Sequence, residues 1–262
     1  MRALLPTHSI MGLYPEPERC LEWFERIGRI CYKSEERITE TSAPAFVRSI
    51  LKLDRMEKLR KQFETLVTDY IHLSKDEKVE KLLERVSSML DDPPHESVIE
   101  HSMMTVHFRF DRGVSHEEVR HRIASFTQES TRYCNYNSGK FGGEIATIEP
   151  SFWAPKDGED ATLWKEEYLV WKSAMNFAEK AYNDLIKLGA KPQEARSVLP
   201  NSLKTEIVVS ANFREWRHIF RLRTSTRAHP QMREVTIPLL REVQAIPNLG
   251  LLFEDIHVTE AP

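Results

Sequence analysis

From Met103 to Phe110 the chain alternates, with Met104, Val106, Phe108 and Phe110 on one side and Met103, Thr105, His107 and Arg109 on the other. A period of two with unlike faces predicts a strand that covers a core with one face only. Elsewhere the period is helical. Leu21, Phe24, Ile27, Gly28 and Cys31 form a stripe between Glu16 and Tyr32, started by Pro15 and Pro17. Trp164, Tyr168, Trp171, Met175, Ala178, Tyr182 and Leu185 recur along a helix that Gly189 ends, which predicts a core or subunit-interface helix. Residues 43–90 are charged and mostly helical in pattern, and read as packing and solvated faces.

Ser115 carries the signals of a helix start. Glu118 stands at the capping-box position, and Val114 and Val119 can form a hydrophobic staple. The tripeptide Arg120, His121, Arg122 is then expected in the second turn of that helix, whose apolar stripe is Val119, Ile123 and Phe126. Beyond Phe126 the segment TQESTRYCNYNSGKFGG is polar and reads as a site loop. Glu144 to Ile148 suggests a short strand and Thr205 to Ala211 a buried one. Asn212 then caps a helix with Glu215 at its capping-box position.

Composition narrows the function. With 262 residues and 40% hydrophobic content, the chain can bury a substantial core, and one domain is expected. A formal net charge of −3 excludes a nucleic-acid binder that relies on a globally basic surface, so any anion site is local. The three cysteines, Cys20, Cys31 and Cys134, are too scattered for a disulfide scaffold, and a reducing cytoplasm is expected. Pro6, His8 and Pro15 interrupt the amino-terminal segment, so no signal peptide is expected, and no segment is apolar enough to span a membrane.

The chemistry concentrates in two stretches. Between Asn212 and Glu234 there are Arg214, Arg217, Arg221, Arg223, Arg227 and Arg233 and no lysine. Arginine's rigid fork recognises phosphate and planar carbonyl groups in ways lysine does not. On a helical wheel Phe213, Trp216, Ile219 and Phe220 form the apolar face, with Arg214, Arg217 and Arg221 opposite. Arg223 falls within the apolar face, where a guanidinium needs a partner or the helix must end. In the other stretch Gln128, Ser130 and Arg132 stand at alternate positions. If extended, it presents an amide, a hydroxyl and a guanidinium together, which suits a nucleotide. HESVIEH, His95 to His101, does not have the spacing of HExxH, and no metal is expected. No GxGxxG, P-loop or nucleophile elbow is present; Gly139 and Lys140 lack the rest of a P-loop.

RHRIASFTQESTRY, with Ser130 as its serine, resembles the signature of the flavin-dependent thymidylate synthases. The likeness extends in order through GRICY around Cys31, HESVIEH, EARSVLP around Arg196, SANFREWRHIFRLR and AHPQMRE, covering most of the chain to about Val235. The resemblance implies an α+β fold of mixed helices around a mainly antiparallel sheet, without a Rossmann fold. It would be a single domain over 1–262 with a charged helical insertion around 43–90. It also implies a cytoplasmic homotetramer with sites shared between subunits, acting on neither nucleic acid nor membrane. The implied reaction is methylation of dUMP to dTMP, with methylenetetrahydrofolate giving the carbon, FAD as cofactor and NADPH as reductant. By carry-over, FAD contacts are Ser97, Arg120, His121, Arg122, Gln128, Asn212, Phe213, Arg214 and His218. The nucleotide would meet Glu117, Arg120, Gln128, Glu129, Ser130, Thr131, Arg132, Arg196 and Arg223. Glu117 stands where the family often has glutamine. Arg223 is the expected catalytic group, since a guanidinium stabilises charge on the pyrimidine; Ser130 is expected to bind. Two other classes stay open: a metal-dependent hydrolase using His95, Glu96, Glu100 and His101, and a non-catalytic nucleotide-binding module.

Overall fold

The computed structural model describes residues 2–55, 57–61, 94–134, 136, 144–153 and 166–258, and positions 64, 77, 79–81, 83, 84 and 87. Trp164, Gly139, Lys140 and most of the expected insertion beyond residue 61 lie outside the described residues. The strands are β1 (Arg2–Leu4), β2 (Thr7–Tyr14), β3 (Met103–Asp111), β4 (Ala124–Gln128), β5 (Ala146–Ile148) and β6 (Lys204–Ala211). The helices used below are α1 (Cys20–Tyr32), α2 (Ala43–Leu51), α3 (Arg112–Glu118), α4 (Glu166–Lys187), α5 (Pro192–Ala195), α6 (Phe213–Arg223) and α7 (Pro230–Ala245). Two compact units are formed, one from residues 1–13, 103–242 and 258–262, the other from 14–102 and 243–257.

The first unit carries a four-stranded sheet of order β2–β3–β6–β4 and a separate parallel pair, β1 with β5. β6 runs antiparallel to both neighbours, so Val106, Val209 and Phe126 lie in one row. The alternation of β3 holds: Met104, Val106, Phe108 and Phe110 are fully buried, and the opposite face is partly open. The apolar face of α6 covers this side. Trp216 packs against Phe108 and donates its indole N–H to the Met104 carbonyl at 2.9 Å. Each such aromatic or aliphatic side chain contributes about 1.5–3 kcal/mol by leaving water. In α4, Tyr168, Met175 and Tyr182 are buried as their spacing predicts, and Gly189 follows at φ 94°, a left-handed conformation that glycine adopts without a steric cost.

The structure changes the reading of the signature segment. Helix α3 starts at Arg112, capped by Asp111, whose carboxylate accepts from the Val114 N–H at 2.6 Å. Ser115 lies inside it and turns its hydroxyl back to the Arg112 carbonyl. The helix stops at Glu118, so Arg120, His121 and Arg122 lie in the turn that leads into β4. The physical reason is tertiary: Ala124 to Gln128 pair with β6 across a full ladder, which outweighs a local helical preference in a segment containing Phe126 and Thr127. Beyond Gln128 the chain turns, with the Tyr133 and Cys134 N–H groups both reaching the Ser130 carbonyl, so Gln128, Ser130 and Arg132 do not lie on one extended stretch. Arg217 is fully buried rather than on an open face, and two amino-terminal strands, β1 and β2, went unread.

In the second unit α1 packs on α2. A Cβ on Gly28 would come within 2.3 Å of the Phe46 ring, so glycine lets the two helices approach. Buried Glu25 is held by Arg29 at 2.9 Å and by the Ser42 hydroxyl at 2.7 Å. The HESVIEH segment forms a 3-10 turn over Glu96–Glu100, tied to α2 by the His95 N–H on the Ile50 carbonyl.

Candidate active site

Four side chains from three elements form one hydrogen-bonded line in the first unit. Glu215, in the first turn of α6, meets His121 Nδ1 at 3.1 Å. His121 Nε2 meets Arg223 Nε at 3.1 Å. Arg223, the last residue of α6, donates from Nη1 to the Glu117 carboxylate at 2.8 Å and from Nη2 to the Glu117 carbonyl at 2.6 Å. The capping of α6 explains why Glu215 is free to do this. Asn212 alone caps the helix, its side-chain oxygen accepting from the Glu215 N–H at 2.9 Å, and the Glu215 carboxylate turns to the histidine. At the other end, the Thr236 hydroxyl of α7 shares its proton between the Met232 carbonyl at 2.9 Å and the Arg223 carbonyl at 3.0 Å.

The interior of this line is dry. The side chains of His121 and Glu215 are 3% and 11% exposed, whereas Glu117 is 37% exposed. Burial, then the positive charges of Arg223 and His218, push the His121 imidazole down to about 4, so it is neutral near pH 7. Burial raises Glu215 despite His218 and Arg214 nearby. Behind them Glu118 is fully buried with neither carboxylate oxygen hydrogen-bonded, and burial pushes it up to about 7, with Arg223 opposing and Glu215 and Glu117 reinforcing the shift. Glu118 and Glu215 were the residues missed from sequence, where both served only as capping-box positions. The signal available for Glu118 was the acid pair Glu117 and Glu118, separated from the basic tripeptide by Val119.

The other expected site residues separate into three groups. Arg120, Arg122, Arg214 and His218 are exposed, a donor set that suits an anionic ligand such as a diphosphate. Gln128 points inward and donates to Ser115 at 2.9 Å and Thr205 at 3.2 Å, Asn212 is occupied as a cap, and Phe213 is in the core. In the signature turn Arg196 reaches the Thr131 hydroxyl at 3.2 Å, the Ser130 hydroxyl accepts from the Arg132 N–H at 3.3 Å, and Glu129 pairs with Lys204 at 2.9 Å. Ser97 is exposed on the 3-10 turn of the second unit. Among the described residues, His121, Glu215 and His218 bring one ligand atom each within 4.8 Å of one another. His121 Nδ1 is already spent on Glu215, and His218 meets the His121 ring edge-on with centroids 5.7 Å apart.

A family model described as thymidylate synthase complementing protein matches residues 18–247. The chain belongs to that family. The match takes in both the signature turn and α6, so family membership and the Glu215–His121–Arg223–Glu117 line concern the same residues. The chain is 37% identical over 150 residues to a flavin-dependent thymidylate synthase of Pyrococcus abyssi, covering 57% of each. It is 38% identical over 162 residues to that of Pyrococcus horikoshii, covering 61% of this chain and 62% of the relative. The matched stretches thus span about three fifths of these relatives. A crystal structure of a UMP/dUMP methylase, PolB, from Streptomyces cacaoi, bound with 5-Br dUMP, superposes with a TM-score of 0.64 over all of both chains at 18% identity, so this member of the family shares its fold.

Proposed function

We propose that the protein is a flavin-dependent thymidylate synthase, a methyltransferase that converts dUMP to dTMP with carbon from methylenetetrahydrofolate and reducing equivalents from NADPH by way of FAD. The observation that carries this reading is Arg223: one edge of its guanidinium is anchored and the other is held by a part-exposed acid, in a chain whose relatives are named for this activity. Placed at the uracil edge, the guanidinium stabilises negative charge on the pyrimidine as C5 becomes nucleophilic. The methylase of Streptomyces cacaoi, which has this fold, was bound to a dUMP analogue, and that supports a pyrimidine nucleotide here.

The nucleotide pocket draws on Glu117, Arg120, Arg196 and the turn from Gln128 to Arg132, with Ser130 as a binding hydroxyl. The exposed guanidiniums of Arg120, Arg122 and Arg214 fit the diphosphate of FAD. His121, Gln128, Asn212, Phe213 and His218 complete the flavin contacts within the first unit, without a Rossmann fold. When bound, FAD supplies the hydride. The chain acts as one domain over 1–262 with a helical insertion around 43–90, in a cytoplasmic homotetramer whose sites draw on more than one subunit.

The test is a visible spectrum of the purified protein, with added FAD, followed by tritium release from C5-labelled dUMP with each component omitted in turn. Flavin absorbance and release that requires methylenetetrahydrofolate and NADPH are expected. Colourless protein that takes up no FAD, or flavin-loaded protein that releases no tritium, overturns the reading. Arg120→Ala and Arg223→Ala, each inactive, should regain some activity when mixed and exchanged; none after confirmed exchange overturns sharing of sites.

A further inference from the structure

We propose that Glu215 is a positioning residue that, through His121, locks the Nε edge of Arg223, while the Glu117 carbonyl holds Nη2 and Nη1 is left to exchange the Glu117 carboxylate for the nucleotide. The role assigned to Arg223 rests on the thymidylate synthase reading; the anchor itself rests on geometry.

The direction of each hydrogen bond follows from chemistry. The Nε of an arginine carries a hydrogen and no available lone pair, so it can only donate. His121 Nε2, at 3.1 Å from it, must therefore accept, which requires a neutral ring with its proton on Nδ1. Among the described residues, the partner of that Nδ1–H is the Glu215 carboxylate at 3.1 Å. A protonated His121 would set an N–H against the guanidinium N–H, and the neighbouring charge of Arg223 opposes that state. Glu215 thus selects the tautomer, and the tautomer holds Nε.

The two ends of the guanidinium differ in how easily they let go. On the Nε side His121 is 3% and Glu215 11% exposed, so breaking that side strands buried polar groups. On the Nη side the Glu117 carboxylate is 37% exposed and can return to water at little cost. An incoming nucleotide therefore displaces the Glu117 carboxylate from Nη1 and meets a guanidinium whose plane is already set by His121 and the Glu117 carbonyl. Pre-set orientation is worth more in the transition state than in the ground state, because charge on the pyrimidine develops there.

The experiment combines imidazole nitrogen NMR with kinetics on the flavin-loaded protein. In the wild type His121 should be the neutral Nδ1–H tautomer from pH 5 to 8, and the Arg223 Nε–H should be protected from exchange with solvent. Glu215→Ala should mix the tautomers, expose that N–H and lower kcat about tenfold with KM for dUMP changed less than about twofold. Glu215→Gln keeps an oxygen to accept from Nδ1–H and should retain the tautomer and most of kcat. An Nε2–H tautomer in the wild type, or a flavin-loaded Glu215→Ala with the wild-type kcat, overturns the proposal. If the wild type itself releases no tritium, the thymidylate reading fails, and the tautomer and the protection of Arg223 Nε–H still decide the anchor. Should Glu215→Ala fail to fold, the wild-type tautomer and Glu215→Gln decide.

Discussion

Two lines of charged groups cross the first unit, and they behave in opposite ways. One runs along the open face of the sheet: His107 meets Glu206 at 3.0 Å, and Lys204 joins Glu206 at 3.0 Å to Glu129 at 2.9 Å. The other is Glu215, His121, Arg223 and Glu117. Each contains a histidine, a cation and two carboxylates. On the sheet His107 is 33% and Glu206 45% exposed, and although burial raises Glu206, its bonds to Lys204 and His107 win and its pKa falls. In the inner line burial wins: Glu215 rises, His121 falls to about 4, and Glu118 beside them rises to about 7. The same residue types thus make an ordinary, water-screened pair at His107 and Glu206, while Lys204 and Glu129, 15% and 13% exposed, form the sheltered end of that line. In the inner line, where burial is the largest influence, His121 and Glu215 shift toward their neutral forms.

The largest break in this comparison should come at Arg223. Arg223→Lys keeps the charge but loses the planar fork and the Nε donor, and tritium release from dUMP should fall about a hundredfold, or roughly 3 kcal/mol, with flavin still bound. Wild-type rates in that variant would place the inner line with the surface one.

Next come two titrations of similar size and opposite sign, read as stability to urea against pH. Glu118 has a folded pKa raised from 4.5 to about 7, so the native state keeps a proton that the unfolded chain gives up. Its contribution is intact below pH 4.5 and is lost as pH rises to about 7, an effect of roughly 3 kcal/mol that Glu118→Gln should abolish, leaving the variant more stable than the wild type at pH 8. His121 is depressed from 6.5 to about 4, so its contribution is full above pH 6.5 and lost as pH falls toward 4. His121→Gln should flatten that acid limb. An unchanged pH profile in either variant would show that the interior is wetter than its burial implies.

The smallest effect belongs to the outer line. Glu206→Gln removes the carboxylate shared by His107 and Lys204, yet at 45% exposure it should cost under about 0.5 kcal/mol in urea unfolding and leave catalysis unchanged. A larger loss would mean that this line, too, is shielded from solvent.

Local patterns carried the elements whose hydrogen bonds and burial repeat at a fixed period. The alternation of β3, the stripe from Tyr168 to Leu185 in α4 and the Asn212 cap were legible because each depends on residues a few positions apart. The RHR signature and the arginines of α6 are legible too as residue types that suit an anion. What they could not announce is that the RHR leaves the helix, because that depends on β6, whose residues lie some eighty positions further along the chain and supply the ladder for β4. The same holds for the inner line: His121 and Glu215 are 94 residues apart and Glu117 and Arg223 106, so their meeting is fixed by the packing of α6 across the sheet. Only that packing buries them, and it brings two glutamates legible in the sequence only as capping-box positions, Glu118 and Glu215, beside a histidine and a helix-end arginine.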